Sequence, residues 1–420
     1  MIDFELGPQV LKQTRMYQMA AQQMMRPISR EFDENEHREP RQFWEMMWSA
    51  MQNAGSVAGE KPSEAAGNGA PTLRTLLTCL TAEELCWGDA GLFISIPGGG
   101  LGGAAVAAAG NSEQRERFLR RFREGQPKWG AMAITEPGCG SDSAAITTTA
   151  ARDGDHYVIN GTKIFCTAGQ MAAEKSEGFV VVWATLDRKA GRAAIKPFVV
   201  EHNTPGMTVA RVENKLGIRA SDTAMLVFEN CRVPADHLLG SPEGPAESAT
   251  RGQGQVQTDG GGFKDVMATF DATRPIVAAM AIGVGRAALD FVRDFLAANK
   301  IPMRYGLSPR RLTTLERDFM EMEAQLQAAR LLTWRAAWML DAGMRNSLEA
   351  SMAKAKAGKA VTLITQKAVE ILGPLGYSRK ELVEKWMRDA KINDIFEGTQ
   401  QINLMIVARR ILDYSSKELN

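Results

Sequence analysis

The sequence predicts an α+β protein in which a helical region, a strand region and a second helical region follow one another along the chain. Three observations carry this. Apolar residues recur at three- and four-residue spacing from Gln9 to about Phe122, the period changes to two between about Gly130 and Gly240, and long helical patterning returns from about Phe263 to the end.

In the first region LKQTRMYQMAAQQM and LRTLLTCLTAEEL have the spacing of amphipathic helices, and Gln52 to Pro71, rich in Gly, Ala, Ser and Pro, reads as a long surface loop. The strand region contains HYVINGTKIFCTAG, GFVVVWATLD, IKPFVVEH and AMLVFENCRVP. Within it Asn160-Gly161 predicts a hairpin turn, because both residue types tolerate positive φ. Ser241 to Gly262 is a Gly/Ser/Gln-rich insertion, and SSKELN at the end is expected to fray. The segments are therefore 1–129, 130–240, 241–262 and 263–420, the last with long helices at Ser308 to Asp341 and Ser347 to Leu372.

A chain of 420 residues with a hydrophobic share of 45% can build substantial cores. Fifty Lys and Arg against 49 Asp and Glu leave a charge of +1, so no bulk field selects nucleic acid or an anionic membrane. Any anion must be bound locally. The start, MIDFELGPQVLKQ, has no signal-like n- and h-regions, and no stretch of about eighteen apolar residues suggests a membrane span, so a cytoplasmic setting is expected. Cys79, Cys86, Cys139, Cys166 and Cys231 lack a CxxC pair, and the chain has 4 His; structural thiols are expected, and no metal site.

Gly283 to Ala288, GVGRAA, fits the relaxed dinucleotide pattern G-x-G-x-x-A, but no strand–helix–strand unit surrounds it. Helical spacing from Arg274 to Phe295 assigns these small residues to close helix packing instead. Ala133 to Asp142, AITEPGCGSD, is built to approach something polar: Pro137 fixes a turn, Gly138 and Gly140 free backbone amides, and Thr135 and Ser141 add hydroxyls. A phosphate or a polar ring edge suits that set. So does an ordinary turn whose side chains cap their own backbone. The charged run at Glu113 to Glu124 reads as a solvated helix face, and MEMEAQLQAARLL as core.

With KIFCTAG at Lys163 to Gly169, FDATRP at Phe270 to Pro275 and EKWMRDAKINDIFEGTQQI at Glu384 to Ile402, that loop makes four motifs in one order. Their order and spacing closely resemble the acyl-CoA dehydrogenase family from about Gly110 to Leu412; the first hundred residues resemble it more loosely. The resemblance implies an N-terminal helical domain, a middle β-domain contacting flavin and a C-terminal four-helix bundle. It also implies α,β-dehydrogenation of an acyl-CoA thioester with FAD as cofactor and an electron-transfer flavoprotein as acceptor. Carried over residue by residue, Met132, Ile134 and Thr135 contact the flavin ring, Ser141 bonds the FAD pyrophosphate and borders the substrate, Phe165 packs on the ring, and Thr167 donates to flavin N5. Thr399 and Gln401 touch the AMP half of FAD. Phe270 lines the acyl channel, Asp271 and Arg274 hold the CoA part, and Glu397 is the base.

The chemistry accounts for these residue types. A thioester α-proton is too weakly acidic for a free carboxylate, so donors must stabilise the incipient enolate, and a desolvated carboxylate is the stronger base. Some family members place the base where this chain has Thr273, which leaves Glu397. The alternative for Glu397 is a solvated carboxylate at a helix start, beside Gly398-Thr399.

Departures from the family cluster where one subunit lends contacts to another. The usual Arg-x-x-Phe-Gly falls on Pro302 to Gly306, the family Gln a little further on is Thr313, and the usual Gln-Ile-Leu-Gly-Gly is Glu370 to Pro374. Two assemblies follow: a heterotetramer in which a paralogous subunit supplies the missing residues, or a homo-oligomer that compensates through Arg304, Arg310 or Arg311. An acyl-CoA oxidase on the same scaffold is the rival activity, and a subunit that only supports a partner the rival of another class. The small residues from Pro97 to Ala105 suit either a roomy acyl pocket or close helix packing.

Overall fold

The computed structural model describes residues 7–53, 73–240, 263–414 and 418. Most of the expected loop from Gln52 to Pro71, the insertion at 241–262 and all of SSKELN except Glu418 lie outside the described residues, while Gln52 and Asn53 end a helix.

The N-terminal helices are α1 (Pro8–Ala20), α2 (Ser29–Glu34), α3 (Arg41–Asn53), α4 (Arg74–Ser95), α5 (Gly100–Ala109) and α6 (Ser112–Leu119). Helix α6 starts on a reciprocal cap: Asn111 Oδ1 accepts from Gln114 N at 2.8 Å, and Gln114 Oε1 accepts from Asn111 N at 3.1 Å. Its charged run is more than a solvated face, since Arg117 pairs with Asp236 at 2.7 Å and Arg121 with Glu201 at 2.5 Å, both in the strand region. Helix α4 is interrupted at Asp89 (φ −168°, ψ 121°), whose carboxylate accepts from Leu92 N and restarts it. The same buried carboxylate meets Lys385 at 2.8 Å, tying α4 to the C-terminal region.

Strands β1 (Gly130–Ala133), β2 (Thr149–Asp153), β3 (His156–Thr167), β4 (Phe179–Thr185), β5 (Ile195–Glu201), β6 (Met207–Val212) and β7 (Thr223–Pro234) form one seven-stranded sheet. Every residue of β4 is buried, consistent with its unbroken apolar run. The hairpin expected at Asn160-Gly161 is not a turn. That pair lies inside β3, where the register against β7 shifts between Ile159 and Gly161, and a Cβ at Gly161 would come within 2.4 Å of Thr148 Oγ1. It is a bulge at a close approach. The β2–β3 turn falls instead at Gly154-Asp155, with Gly154 at φ 64°.

The C-terminal region contains α7 (Phe263–Ala298), α8 (Thr314–Asp341), α9 (Ser347–Leu372), α10 (Pro374–Tyr377), α11 (Val383–Ala390) and α12 (Gln400–Ile411). Helix α4 joins α7, α8 and α9 in one core through Leu80 and Cys86, Val284 and Ala288, Phe319 and Leu326, and Ala357 and Ile364. The G-x-G-x-x-A sequence sits within α7. A Cβ at Gly283 would lie 2.4 Å from the Glu83 carbonyl, so the glycine permits helix contact. One expectation is corrected here: Thr269–Ala298 is long and apolar enough to cross a membrane, but 78% of its apolar window is buried inside the protein, as in a core helix.

Candidate active site

Glu397 lies on the short connection between α11 and α12. Glu397 and Gly398 have φ of 51° and 92°, so the backbone reverses sharply here. For a non-glycine residue that conformation costs roughly 1–2 kcal/mol, and it persists only where the surroundings enforce it. Two helices do so. Lys354 on α9 donates to the carbonyls of Asn393 and Gly398, each at 2.7 Å, and Asn403 on α12 donates to those of Gly398 and Thr399 at 2.8 and 3.0 Å. Gly358, one turn beyond Lys354, lets the connection come close, because a Cβ there would lie 2.8 Å from the Asn393 carbonyl.

The carboxylate is held from α7, where Thr273 Oγ1 donates to Glu397 Oε2 at 2.6 Å. Burial pushes the Glu397 carboxyl above its ordinary range, against the pull of that hydrogen bond and of the Lys354 and Arg274 charges. Burial also pushes Lys354 down, to about 8, against the attraction of Glu397 and Asp394. Glu397 is not a helix cap: Thr399 takes that place, its hydroxyl accepting from Ile402 N at 3.2 Å. Arg274 is only 3% exposed; it pairs with Asp271 at 2.7 Å, and Asp271 also accepts from the Ser347 hydroxyl. The Arg274 guanidinium is enclosed behind the Glu397 connection, with Asp271 as counter-ion.

The second half of the site is a corner of the sheet. Ile164 N donates to the Thr135 carbonyl at 2.8 Å, and Lys163 Nζ donates to the Ile134 carbonyl at 3.0 Å and to Glu136 at 2.8 Å. Glu136 also accepts from Thr147 N, Thr147 Oγ1 and Thr148 N at 2.6, 2.7 and 2.9 Å. Burial works against that carboxylate, but Lys163 and these donors hold it at about 2. Met132, Ile134 and Thr135 are thereby brought beside Phe165 and Thr167. Phe165 exposes 60% of its surface at φ 56°, and Asp222, pushed up to about 6 by burial, fixes the following turn by accepting from Gln170 N at 2.7 Å. Beyond Glu136, the Glu136–Cys139 backbone pair closes the turn at 3.0 and 3.1 Å, leaving Gly138 uncrowded and Ser141 exposed. Gln401 is exposed on α12.

Phe270 joins the halves. It packs on the same apolar cluster as Ile134 and Leu101, and its ring lies 5.8 Å from the Arg274 guanidinium. On α5 a Cβ at Gly102 would come within 2.5 Å of the Ala131 carbonyl, so that glycine allows α5 to pack on β1; Ala104, Ala107 and Ala108 stay half-buried. Lys354, Asn403 and the Lys163–Glu136 pair were not anticipated. Lys354 alone left a signal, as a charge on the small-residue stripe Ser347, Ala350, Ser351, Gly358.

A desolvated, oriented carboxylate and a corner with an open aromatic ring flanked by hydroxyls are groups suited to proton abstraction beside a flat, polar-edged cofactor. The chain belongs to the acyl-CoA dehydrogenase family, flavoprotein oxidoreductases acting on CH–CH bonds. It matches the family's N-terminal, middle and C-terminal domains over residues 12–126, 131–231 and 260–412. The short-chain specific mitochondrial acyl-CoA dehydrogenase of Rattus norvegicus is 36% identical over 364 residues, 86% of this chain and 81% of the relative. The butyryl-CoA dehydrogenase of Megasphaera elsdenii superposes with a TM-score of 0.81 at 30% identity, covering 98% of this chain and 100% of that one. A chain from the structure of the electron transferring flavoprotein of Acidaminococcus fermentans does so with a TM-score of 0.81 at 31% identity, covering 98% and 100%.

Proposed function

We propose that Glu397 removes the α-proton of an acyl-CoA thioester and that FAD lies against the corner formed by Met132 to Thr135 and Phe165 to Thr167. The observation that carries this reading is the buried, upshifted carboxylate of Glu397, aimed by Thr273 at 2.6 Å. Raised by burial above the ordinary carboxyl range, it is a stronger base than an exposed carboxylate. The corner suits FAD on its own features: the open Phe165 ring can stack on a flat heterocycle, Thr135 and Thr167 offer hydroxyls to its edge, and Ser141 on an uncrowded turn can reach a pyrophosphate. When bound, FAD supplies the acceptor at N5 for the β-hydride. Phe270 lines the acyl path, Asp271 anchors Arg274 behind the base, and Thr399 and Gln401 flank the AMP half.

An electron-transfer flavoprotein is the proposed acceptor. Slow reoxidation of the substrate-reduced enzyme in air would fit that reading, while rapid reoxidation would identify an oxidase. The assembly reading is sharpened by Arg304, whose guanidinium is held by Glu316 at 2.6 and 2.7 Å. So engaged, it is a poor replacement for an Arg at Pro302, which leaves the exposed Arg310 and Arg311 as the homo-oligomer's candidates against a heterotetramer with a paralogous subunit. Full flavin occupancy in the chain purified alone as a homo-oligomer would overturn that assembly. For the base, Glu397→Gln is expected to keep its flavin yet lose bleaching by acyl-CoA by about three orders of magnitude or more. Unchanged bleaching would remove Glu397 from the reaction.

A further inference from the structure

Lys354 carries a charge where its helix face should carry none. The buried side of α9 runs through Ser347, Ala350, Ser351, Gly358, Val361 and Thr365, and Lys354 falls among them at 2% exposure. An enclosed ammonium persists only where its protons are satisfied. Here the acceptors are the carbonyls of Asn393 and Gly398, at 2.7 Å each, on either side of Glu397.

We infer that Lys354 is a positioning residue for proton abstraction, a cationic clamp that closes the Glu397 connection and holds the carboxylate where the α-proton is taken. The inference rests on Glu397 being the base. Two carbonyls five positions apart meet on one ammonium, so the backbone between them cannot open without breaking a charge-assisted hydrogen bond. The clamp also acts through its field. Glu397 is faced by Lys354 from α9 and by Arg274, with its counter-ion Asp271, and Thr273 from α7, while neutral Asn403 from α12 bonds the Gly398 carbonyl and Asp394 of the same connection acts on Lys354. Removing the ammonium takes away one of two opposing cations, so the carboxyl must rise and the base form appears at higher pH.

These effects differ from those of lost packing. Lys354 sits behind the connection, so the step after binding should suffer and substrate affinity should not. The test uses the flavin-loaded wild type, Lys354→Met, Lys354→Gln and Glu397→Gln, with flavin content and thermal midpoint measured for each. Anaerobic flavin reduction is then followed from about pH 6 to about pH 9, with whichever acyl-CoA of a chain-length series reduces the wild type fastest. Both Lys354 variants are expected to react at least ~10-fold more slowly at neutral pH, with half-saturation within about threefold of wild type and the rising limb displaced upward by about one pH unit. Lys354→Gln with full flavin, wild-type rate and wild-type limb would overturn the clamp, whether or not Lys354→Met folds. Bleaching by Glu397→Gln at the wild-type rate would instead show that the base assignment underneath has failed.

Discussion

Lys163 in the sheet and Lys354 on α9 are both almost fully enclosed, at 0% and 2% exposure, and both tie down a connection that builds the site. They differ in what receives the charge. Lys163 meets the Glu136 carboxylate at 2.8 Å, whereas Lys354 donates to two backbone carbonyls. A paired cation is neutralised locally, and its partner Glu136 is held at about 2, far from any working pH. A cation on carbonyls has no counter-ion beside it, so burial pushes Lys354 down to about 8 while its charge still acts on Glu397. The first lysine is paired and spent on structure; the second also acts by its charge on Glu397, the proposed base.

The largest expected effect tests the purely structural half. Lys163→Met leaves the Glu136 carboxylate buried without its cation, which typically costs about 3–5 kcal/mol. Thermal unfolding should show a clear fall in midpoint. Flavin content should fall as well, since Lys163 also holds the Ile134 carbonyl. Adding Glu136→Gln to that variant should recover part of the stability. The protein that still carries flavin should keep the wild-type pH dependence of flavin reduction, and a displaced limb would erase the distinction between the two lysines.

The sequence made these regions visible to different degrees. Periodicity located helix, sheet and helix because it reports which face of each element is buried. It does not report what that face meets. Thr273 and Glu397 are 124 residues apart, and Lys354 lies 44 from Gly398, so neither contact could be read from local spacing. Thr273 was informative only as a vacant alternative base, yet its hydroxyl holds the Glu397 carboxylate, the proposed base. Asn160-Gly161 shows the same limit: the pair signals tolerance of positive φ, but pairing of β3 with β7 made it a bulge while Gly154-Asp155 made the turn. Likewise, only the packing of α4 against α7 identifies the apolar run at Thr269–Ala298 as core.

A smaller effect separates orientation from field on the tuned side. Thr273→Val keeps the shape and removes one hydrogen bond to a charged acceptor, a loss of about 1.5–3 kcal/mol. If most of that falls on the reactive carboxylate, flavin reduction slows by about 10- to 100-fold. Because the bond favours the charged form of Glu397, its loss should also move the rising limb to higher pH. Thr273→Ser should stay near wild type. A slow Thr273→Val enzyme with an unmoved limb would mean that the hydroxyl aims the carboxylate without tuning it.

The smallest effect is in stability, where the two carboxylates should respond to acid with opposite signs. Glu136 is held at about 2, below the ordinary 4.5, so its stabilising contribution is complete above about pH 4.5 and is lost as the pH falls towards 2. A Glu136→Gln protein should therefore be less stable than wild type at neutral pH, and the gap should narrow through that window. Glu397 is raised above 4.5 by burial, so folding favours its protonated form. Its destabilising contribution is absent below the ordinary value and grows as the pH rises through the folded one. Glu397→Gln should then match wild type in acid and become the more stable protein towards neutrality, as expected where a base is kept ionisable at the expense of stability. Denaturant midpoints of the three proteins from about pH 2 to about pH 8 would measure both trends. Two curves bending the same way would mean that Glu397 is held like Glu136, and that its carboxylate is not the poised one.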